Sequence, residues 1–109
     1  MTPQEINETI AKWLGFEIDY SQEIKWYVFD NGIKITRLAY CPDFYHSFDE
    51  CIKWIVPELD KRGYQVHIFF YLGAYSIEIY KEKYAYEYNN ESLSTAFCEA
   101  VDKLIKDGG

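Results

Sequence analysis

The segment from Cys41 to Cys51 carries the side chains best suited to chemistry. Cys41, His46 and Cys51 follow one another with four residues between each pair. Thiolates and imidazoles bind zinc, and a cysteine beside a histidine can act as a nucleophile. Structural zinc sites, however, use ligand pairs about two to four residues apart and a fourth ligand, which only His67 or Cys98 could supply from elsewhere in the fold. We therefore expect no metal site.

The same residues give no sign of an activated cysteine. Cys51 and Cys98 lie on predicted apolar helix stripes, where a buried thiol is inert. Cys41 is predicted to be more exposed, with Asp43 and His46 near it in the sequence. The glycines fall at predicted turns and helix ends and form no phosphate-binding loop. We therefore expect no enzymatic activity, no catalytic residues and no cofactor.

A second group of candidate residues is the tyrosine-rich segment that ends at Tyr88. Its tyrosines alternate with other residues, so a strand would present their rings on one side. Tyrosine suits interfaces because a rigid apolar ring carries one polar tip, although packing beneath the last helix is the alternative. An edge strand here could also pair with a second copy of the chain. The predicted partner-binding set is Tyr84, Tyr86, Tyr88, Glu82, Glu87 and Glu91.

Composition limits the classes of partner. The chain carries 18 acidic and 11 basic residues, a net charge of −7. Such a chain is repelled by nucleic-acid phosphates and by anionic membranes, and it is attracted to basic protein surfaces. We expect no direct contact with nucleic acid and none with membrane. The candidate acidic patches are Glu17, Asp19 and Glu23, and Glu82, Glu87, Glu91, Glu99 and Asp102.

Length and the N-terminal sequence bound the organisation and the compartment. With 109 residues and 49% hydrophobic content, the chain is predicted to form a single domain over residues 1–109. The opening "MTPQEINETI" lacks the basic and apolar regions of a secretion signal. No apolar run approaches the roughly 20 residues that span a bilayer. We therefore predict a reduced, cytoplasmic protein.

Capping signals predict the helices. Thr2-Pro3-Gln4-Glu5 combines a capping box with proline at the first helical position, and Gly15 supplies the stop. A second helix runs from Ser47 to about Arg62, with a kink or break at Pro57. The predicted apolar faces are Ile6, Ile10, Trp13 and Leu14 in the first helix and Cys51, Ile52, Ile55 and Leu59 in the second.

Asn31-Gly32 predicts the first hairpin, with a type I′ turn. Counting outward pairs Asp30 with Ile33, Val28 with Ile35, Trp26 with Arg37 and Ile24 with Ala39. These mostly apolar side chains are predicted to face inward.

A second hairpin is predicted around Gly73-Ala74. Its predicted pairs are Phe70 with Ile77 and Ile68 with Ile79 on one face, and His67 with Tyr80 and Phe69 with Glu78 on the other. Tyr75, Ile77 and Ile79 are predicted to be core. A short strand with the tyrosines follows, and a last helix begins at Ser92 or Ser94 with the face Phe97, Val101, Leu104 and Ile105.

The element order is therefore α-β-β-α-β-β-(β)-α. Because hairpins join successive strands, the central sheet should be mainly antiparallel, and three amphipathic helices must cover it. The sequence thus predicts an α+β domain.

Two segments carry a family resemblance. "YCPDFYHSFDECIKWIVPEL" and "ESLSTAFCEAVDKLI", with the earlier Trp13-Leu14-Gly15 step, resemble the small ABA-sandwich domain of bacteriophages and prophages. The segment Pro42–Ser47 resembles that family's lead into its middle helix, and Ala96–Ala100 resembles its last helix. The resemblance implies helices on an antiparallel sheet and a phage origin, and it supplies no catalytic residues.

Small size, acidity and this resemblance favour a phage-encoded accessory protein that binds a bacterial host protein without catalysis. We predict an anti-CRISPR-like inhibitor that occupies the basic nucleic-acid site of a defence nuclease. One alternative is a small-ligand sponge for a nucleotide defence signal, in which rings such as Trp26, Tyr80 and Tyr86 stack a base and Arg37 or a lysine meets the phosphates. Another is a structural or metabolic domain without a defence role.

Overall fold

The computed structural model describes residues 2–20 and 25–109. Within these ranges the elements are α1 (Pro3–Leu14), β1 (Glu17–Asp19), β2 (Trp26–Asp30), β3 (Ile35–Leu38), α2 (Phe48–Glu50), a π-helical turn (Cys51–Ile55), α3 (Val56–Lys61), β4 (Gln65–Tyr71), β5 (Ala74–Lys81), β6 (Tyr84–Asn90) and α4 (Leu93–Lys106). The strands form a first sheet, β1-β2-β3, and a second sheet, β4-β5-β6, both antiparallel. The predicted α+β class and element order are confirmed, with β1 as an addition and the strands divided between two sheets.

The ends of α1 follow the sequence signals. The Oγ1 of Thr2 accepts a hydrogen bond from the Glu5 N–H at 3.2 Å, and the Glu5 carboxylate accepts one from the Thr2 N–H. Gly15, with a φ of +102°, ends the helix in the left-handed region where a side chain would be strained. The predicted apolar face is confirmed, with Ile6, Ile10 and Leu14 buried and Trp13 half-buried.

The middle helix changes its winding just before Pro57. A proline has no N–H to offer the Lys53 carbonyl, and in a regular α-helix its ring would collide with that carbonyl. The chain instead widens over Cys51–Ile55, where the Val56 N–H donates to the Cys51 carbonyl five residues back. The predicted irregularity therefore takes the form of a π-helical turn inside a continuous helical segment.

The first hairpin pairs two residues away from the prediction. The observed pairs are Tyr27 with Leu38, Val28 with Arg37, Phe29 with Thr36 and Asp30 with Ile35. Gly32 has a φ of +85°, but Asn31 has no positive φ, so the predicted type I′ turn is wrong. The Asn31 side chain instead accepts hydrogen bonds from the N–H groups of Ile33 and Lys34, at 2.9 and 2.8 Å. The predicted pairing of Ile24 lies outside the described residues.

The first hairpin also turns its other face inward, contrary to the prediction. Tyr27 is buried and Phe29 is half-buried against the core, whereas Ile35 is exposed. The Phe29 ring centroid lies 5.2 Å from that of Phe16 and 5.4 Å from that of Trp54. This three-ring cluster attaches the first sheet to the helices, because such contacts stabilise beyond the area they bury.

The second hairpin likewise pairs two residues away from the prediction, because its turn residues are Leu72–Gly73. Ile68 lies opposite Ile77, and Phe70 lies opposite Tyr75. A shift of two residues leaves every side chain on its predicted face. Ile77 is fully buried as predicted, but Tyr75 is only half-buried.

Helix α4 covers one face of the second sheet. Its N-cap is Ser92, whose Oγ accepts a hydrogen bond from the Thr95 N–H at 3.4 Å. The helix packs against β5, β6 and α1. The fully buried core side chains include Ile10, Phe44, Cys51, Ile55, Leu59, Ile77, Ile79, Phe97, Cys98, Val101 and Leu104. Ile52, predicted on the buried stripe beside Cys51, is half-exposed because adjacent helical residues project about 100° apart.

The turn at Leu72 stores strain that a substitution should release. Leu72 is exposed and has a φ of +53°, a region that asparagine tolerates better than leucine. We expect Leu72→Asn to raise the free energy of unfolding by about 0.5–1 kcal/mol in urea denaturation at low protein concentration. Leu72→Ala, which removes the same apolar surface and keeps the strain, is the control. Equal effects of the two changes would show that backbone strain is not the cause.

Candidate functional site in the second sheet

The cysteine and histidine of the segment before the middle helix lie in an open cleft beside α1. His46 Nδ1 lies 3.0 Å from Asp43 Oδ2, and the Asn7 side chain donates to Asp43 Oδ1 at 2.9 Å. Asn7 also accepts a hydrogen bond from the Tyr45 N–H at 2.9 Å. Burial acts to raise the pKa of the Asp43 carboxyl, but its hydrogen bonds with Asn7 and His46 hold that pKa below its usual value. The network fixes the segment to α1.

The cysteines in this region lie in half-buried or buried surroundings. Burial, with the charge of Glu8, raises the pKa of Cys41 to about 11. Cys51 and Cys98 are fully buried, and their Sγ atoms lie 3.8 Å apart. The hydrogen bond with Cys51 and burial raise the pKa of Cys98. Among residues 2–20 and 25–109, no three His, Cys, Asp or Glu side chains come together as a metal site.

Alkylation should report these thiol environments. At pH 8 we expect iodoacetamide to modify Cys41 alone in the native protein, about a hundredfold more slowly than a free thiol, because so little of it is thiolate. Peptide mass spectrometry locates the modified cysteine, and the urea-unfolded protein, alkylated at all three cysteines, is the control. Rapid alkylation of native Cys41 would instead identify an activated nucleophile.

The structure places the three predicted tyrosines on one face of β6, but that is the face beneath α4. Tyr86 lies opposite Ile79, and Tyr88 lies opposite Ile77. Both rings are half-buried against the core, and only Tyr84 is largely exposed. The alternation is therefore as predicted, and a partner-binding role for these tyrosines stays a prediction.

Polar contacts fix the two half-buried tyrosines. The Tyr86 hydroxyl donates a hydrogen bond to the Asp107 carboxylate just beyond α4. This bond, with burial, raises the pKa of Tyr86 to about 12. The Lys103 ammonium lies 4.6 Å from the centre of the Tyr88 ring. Both contacts tie β6 to the end of α4.

Tyr86→Phe tests the tie to Asp107. We expect a loss of about 0.5–1 kcal/mol in the free energy of unfolding at pH 7, the value of one exposed hydrogen bond. Because the folded pKa of Tyr86 is raised, the stabilisation is complete below the unfolded pKa near 10 and is lost as pH rises to about 12. The stability difference between wild type and variant should therefore shrink over that interval in urea titrations. A constant difference through pH 12 would contradict the assignment.

The predicted acidic residues do not form one patch. Glu82 lies in the β5–β6 turn, Glu91 follows β6, and both are exposed. Glu87 points to the other face of the sheet, opposite Glu78. Asp102, predicted to be on the surface, is instead buried, with its Oδ2 2.7 Å from the Lys106 ammonium.

The other predicted acidic patch, Glu17, Asp19 and Glu23, lies only partly within the described residues of the first sheet. The Asp19 carboxylate lies 3.6 Å from the Arg37 guanidinium, so it is partly neutralised. Glu17 is exposed at the start of β1, and Glu23 lies outside the described residues.

The outer face of the second sheet, defined by His67, Phe69, Glu78, Tyr80 and Glu87, points away from α4. The His67 ring centroid lies 4.8 Å from that of Tyr80 and 6.1 Å from that of Phe69. Glu78 stands between His67 and Glu87 in the cross-strand register. Neither glutamate forms a salt bridge within the described chain. Aromatic rings thus lie beside two unneutralised carboxylates on a solvent-facing sheet.

Strand β4 and its turn form an exposed apolar edge, which the sequence analysis did not predict. The exposed fractions are 46% for Ile68, 52% for Phe69, 67% for Phe70, 73% for Tyr71 and 86% for Leu72. The inward-facing members of this segment were predicted as partners of core residues, yet the sheet contacts of α4 are concentrated on β5 and β6. The unbroken apolar run "IFFYL" could have indicated this exposed edge, since a half-buried strand normally alternates apolar and polar residues.

The residues proposed to bind a nucleotide do not come together. Trp26 and Arg37 belong to the first sheet, whereas Tyr80 and Tyr86 belong to the second. Tyr80 is paired with Ala85, so its ring lies on the opposite face of the sheet from Tyr86. This set cannot form one base-stacking pocket.

Comparison with protein-family models, curated proteins and solved structures found no match to this chain. Within the described residues, the helices are too short or too polar to traverse a bilayer.

Proposed function

We propose that this domain acts by binding another protein, without catalysis, through the outer face of the second sheet and the adjoining tip of β4. The observation that carries the proposal is the exposure of aromatic side chains on and beside the face of the second sheet that α4 does not cover. Phe69 and Tyr71 are both more than half exposed there. Large exposed apolar patches on a soluble domain are typical of interaction sites, because their exposure otherwise costs free energy.

The charges on that face select the chemistry of the partner. Glu78 and Glu87 are directly opposite one another, an arrangement that destabilises a sheet through like-charge repulsion. A cationic side chain placed between them would relieve this repulsion. Arginine also stacks on aromatic rings, and Tyr80 and His67 lie on the same face. The outer face therefore suits a basic protein surface rich in arginine.

The net charge of −7 supports the same partner class over a longer range, because it speeds the approach to a basic surface. Nucleic-acid-binding channels of nucleases are basic for the same electrostatic reason. The charge complementarity and the resemblance to phage domains together favour a more specific proposal, in which the domain inhibits a bacterial defence nuclease.

The variant Glu78→Gln/Glu87→Gln tests the proposal, because it removes two charges from the outer face and keeps the side-chain size. The binding partner is first captured from bacterial lysate on immobilised wild-type protein, and then purified. We expect the Kd for that partner, measured by calorimetry at low salt, to rise about tenfold or more in the double variant. If the partner is a nuclease, its inhibition should weaken by the same factor.

Glu82→Gln/Glu91→Gln is the matched control, since it removes the same charge from exposed positions off the outer face. We expect its Kd to stay within about twofold of wild type. Equal losses in both double variants would show that only net charge matters and would contradict a site on the outer face. Failure of the wild type to retain any protein would contradict the binding function. A captured partner without nuclease activity would contradict nuclease inhibition but not the binding of a basic protein through the outer face.

A further inference from the structure

Strand β4 is an edge of the second sheet, with unpaired backbone groups along one side. Its turn residues, Leu72–Gly73, have φ values of +53° and +77°, the pattern of a type I′ turn. Such a turn is closed by a hydrogen-bonded pair, here Tyr71 and Ala74. Because hydrogen-bonded and non-bonded pairs alternate along an antiparallel ladder, every second residue of β4 directs its N–H and C=O away from β5. The residues with outward-facing backbone groups are Val66, Ile68 and Phe70.

This edge lacks the charges that normally prevent strands from pairing between molecules. Of the six strands in the described chain, β4 is the only one with no Asp, Glu, Lys or Arg. The opposite edge, β6, contains Glu87 and is flanked by Lys83 and Glu91. Edge strands of soluble proteins are usually blocked by such charges, by proline or by a covering element. For two copies of a chain with net charge −7, β4 is the strand where approach brings no like-charged side chains together.

The strand is complementary to itself. An antiparallel pairing about a two-fold axis at Ile68 places Ile68 opposite its own copy, and Val66 opposite Phe70 of the second copy. These three pairs each exchange two hydrogen bonds, because all the backbone groups involved face outward. On the inner face the pairing joins only apolar side chains. On the outer face it sets His67 opposite Phe69 of the second copy.

Pairing also covers apolar surface that the monomer leaves in solvent. Ile68 and Phe70, which lie on the inner face of the paired segment, are 46% and 67% exposed. Removing such apolar surface from water favours association.

We infer that two copies of this chain associate through β4 into a dimer with a continuous six-stranded antiparallel sheet. The dimer joins the two outer faces into one surface and covers the edge that the monomer leaves open. The interface is independent of any other partner, so the pure protein suffices to test it.

The test is the mass in solution of the wild type and of Ile68→Lys. Sedimentation equilibrium on the wild type at micromolar concentrations should give twice the chain mass of 13.0 kDa. Ile68→Lys places two ammonium groups opposite one another at the two-fold axis, so the dimer Kd should rise about a hundredfold or more. Ile35→Lys is the matched control, because Ile35 is also exposed on an edge strand, β3, of the other sheet. That variant should remain a dimer.

A wild-type mass of 13.0 kDa at these concentrations would overturn the inference, and so would a dimer that survives Ile68→Lys or dissociates with Ile35→Lys. If Ile68→Lys fails to fold, as judged by circular dichroism, hydrogen exchange on the wild type decides. The amides of Val66, Ile68 and Phe70 should be protected in a concentration-dependent manner. Fast exchange of these amides at high concentration, with His67 and Phe69 protected, would show an unpaired edge.

Discussion

The packing of α4 against β5 and β6 is the contact on which the rest of the structure depends. Ile77 and Ile79 lie fully buried on the sheet side, and Phe97 and Val101 on the helix side. A helix is about 10 Å wide, and neighbouring strands are about 4.8 Å apart, so one helix covers about two strands. The third strand, β4, extends beyond the helix, so the residues from Ile68 onward are exposed while Val66 still packs against the core. The exposed apolar surface is therefore a geometric result of placing one helix on three strands.

Local signals in the sequence were sufficient for the helices and most of their ends, whereas the short strand β1 was not predicted. The capping box at Thr2 and the stop at Gly15 each depend on residues within one turn of helix, and the last helix was predicted to begin at Ser92 or Ser94, of which Ser92 is the cap. The irregularity at Pro57 could also be predicted, because the missing N–H is a property of the residue itself. The α+β class followed from the order of these elements.

The strand registers and the inward faces could not be predicted in the same way, because the register depends on which of two local turn geometries forms and the faces depend on contacts with distant residues. Asn31 forms a loop through its own side chain in place of a tight turn, and this shifts the first hairpin by two residues. Phe29 faces inward because Phe16 and Trp54 provide ring partners that the sequence pattern does not show. The exposure of β4 depends on the width of α4, which no pattern within the strand reveals. The outer face was overlooked for the same reason, since the alternation of tyrosines in β6 indicated the covered side.

The π-helical turn at Cys51–Ile55 has a consequence for the tolerance of this fold to changes in chain length. A π-helical turn accommodates one more residue than the α-helical turn it replaces, and each residue advances an α-helix by about 100°. Deleting one residue from this turn would therefore leave α2 and α3 in nearly the same angular phase, so that Leu59 would stay in the core and the Arg62 guanidinium would stay on the Trp13 ring, whose centre lies 4.3 Å away. The cost would fall on Pro57, whose ring would collide with the carbonyl four residues back in a regular α-helix. A deletion within α3 would instead rotate every later residue of that helix by about 100°.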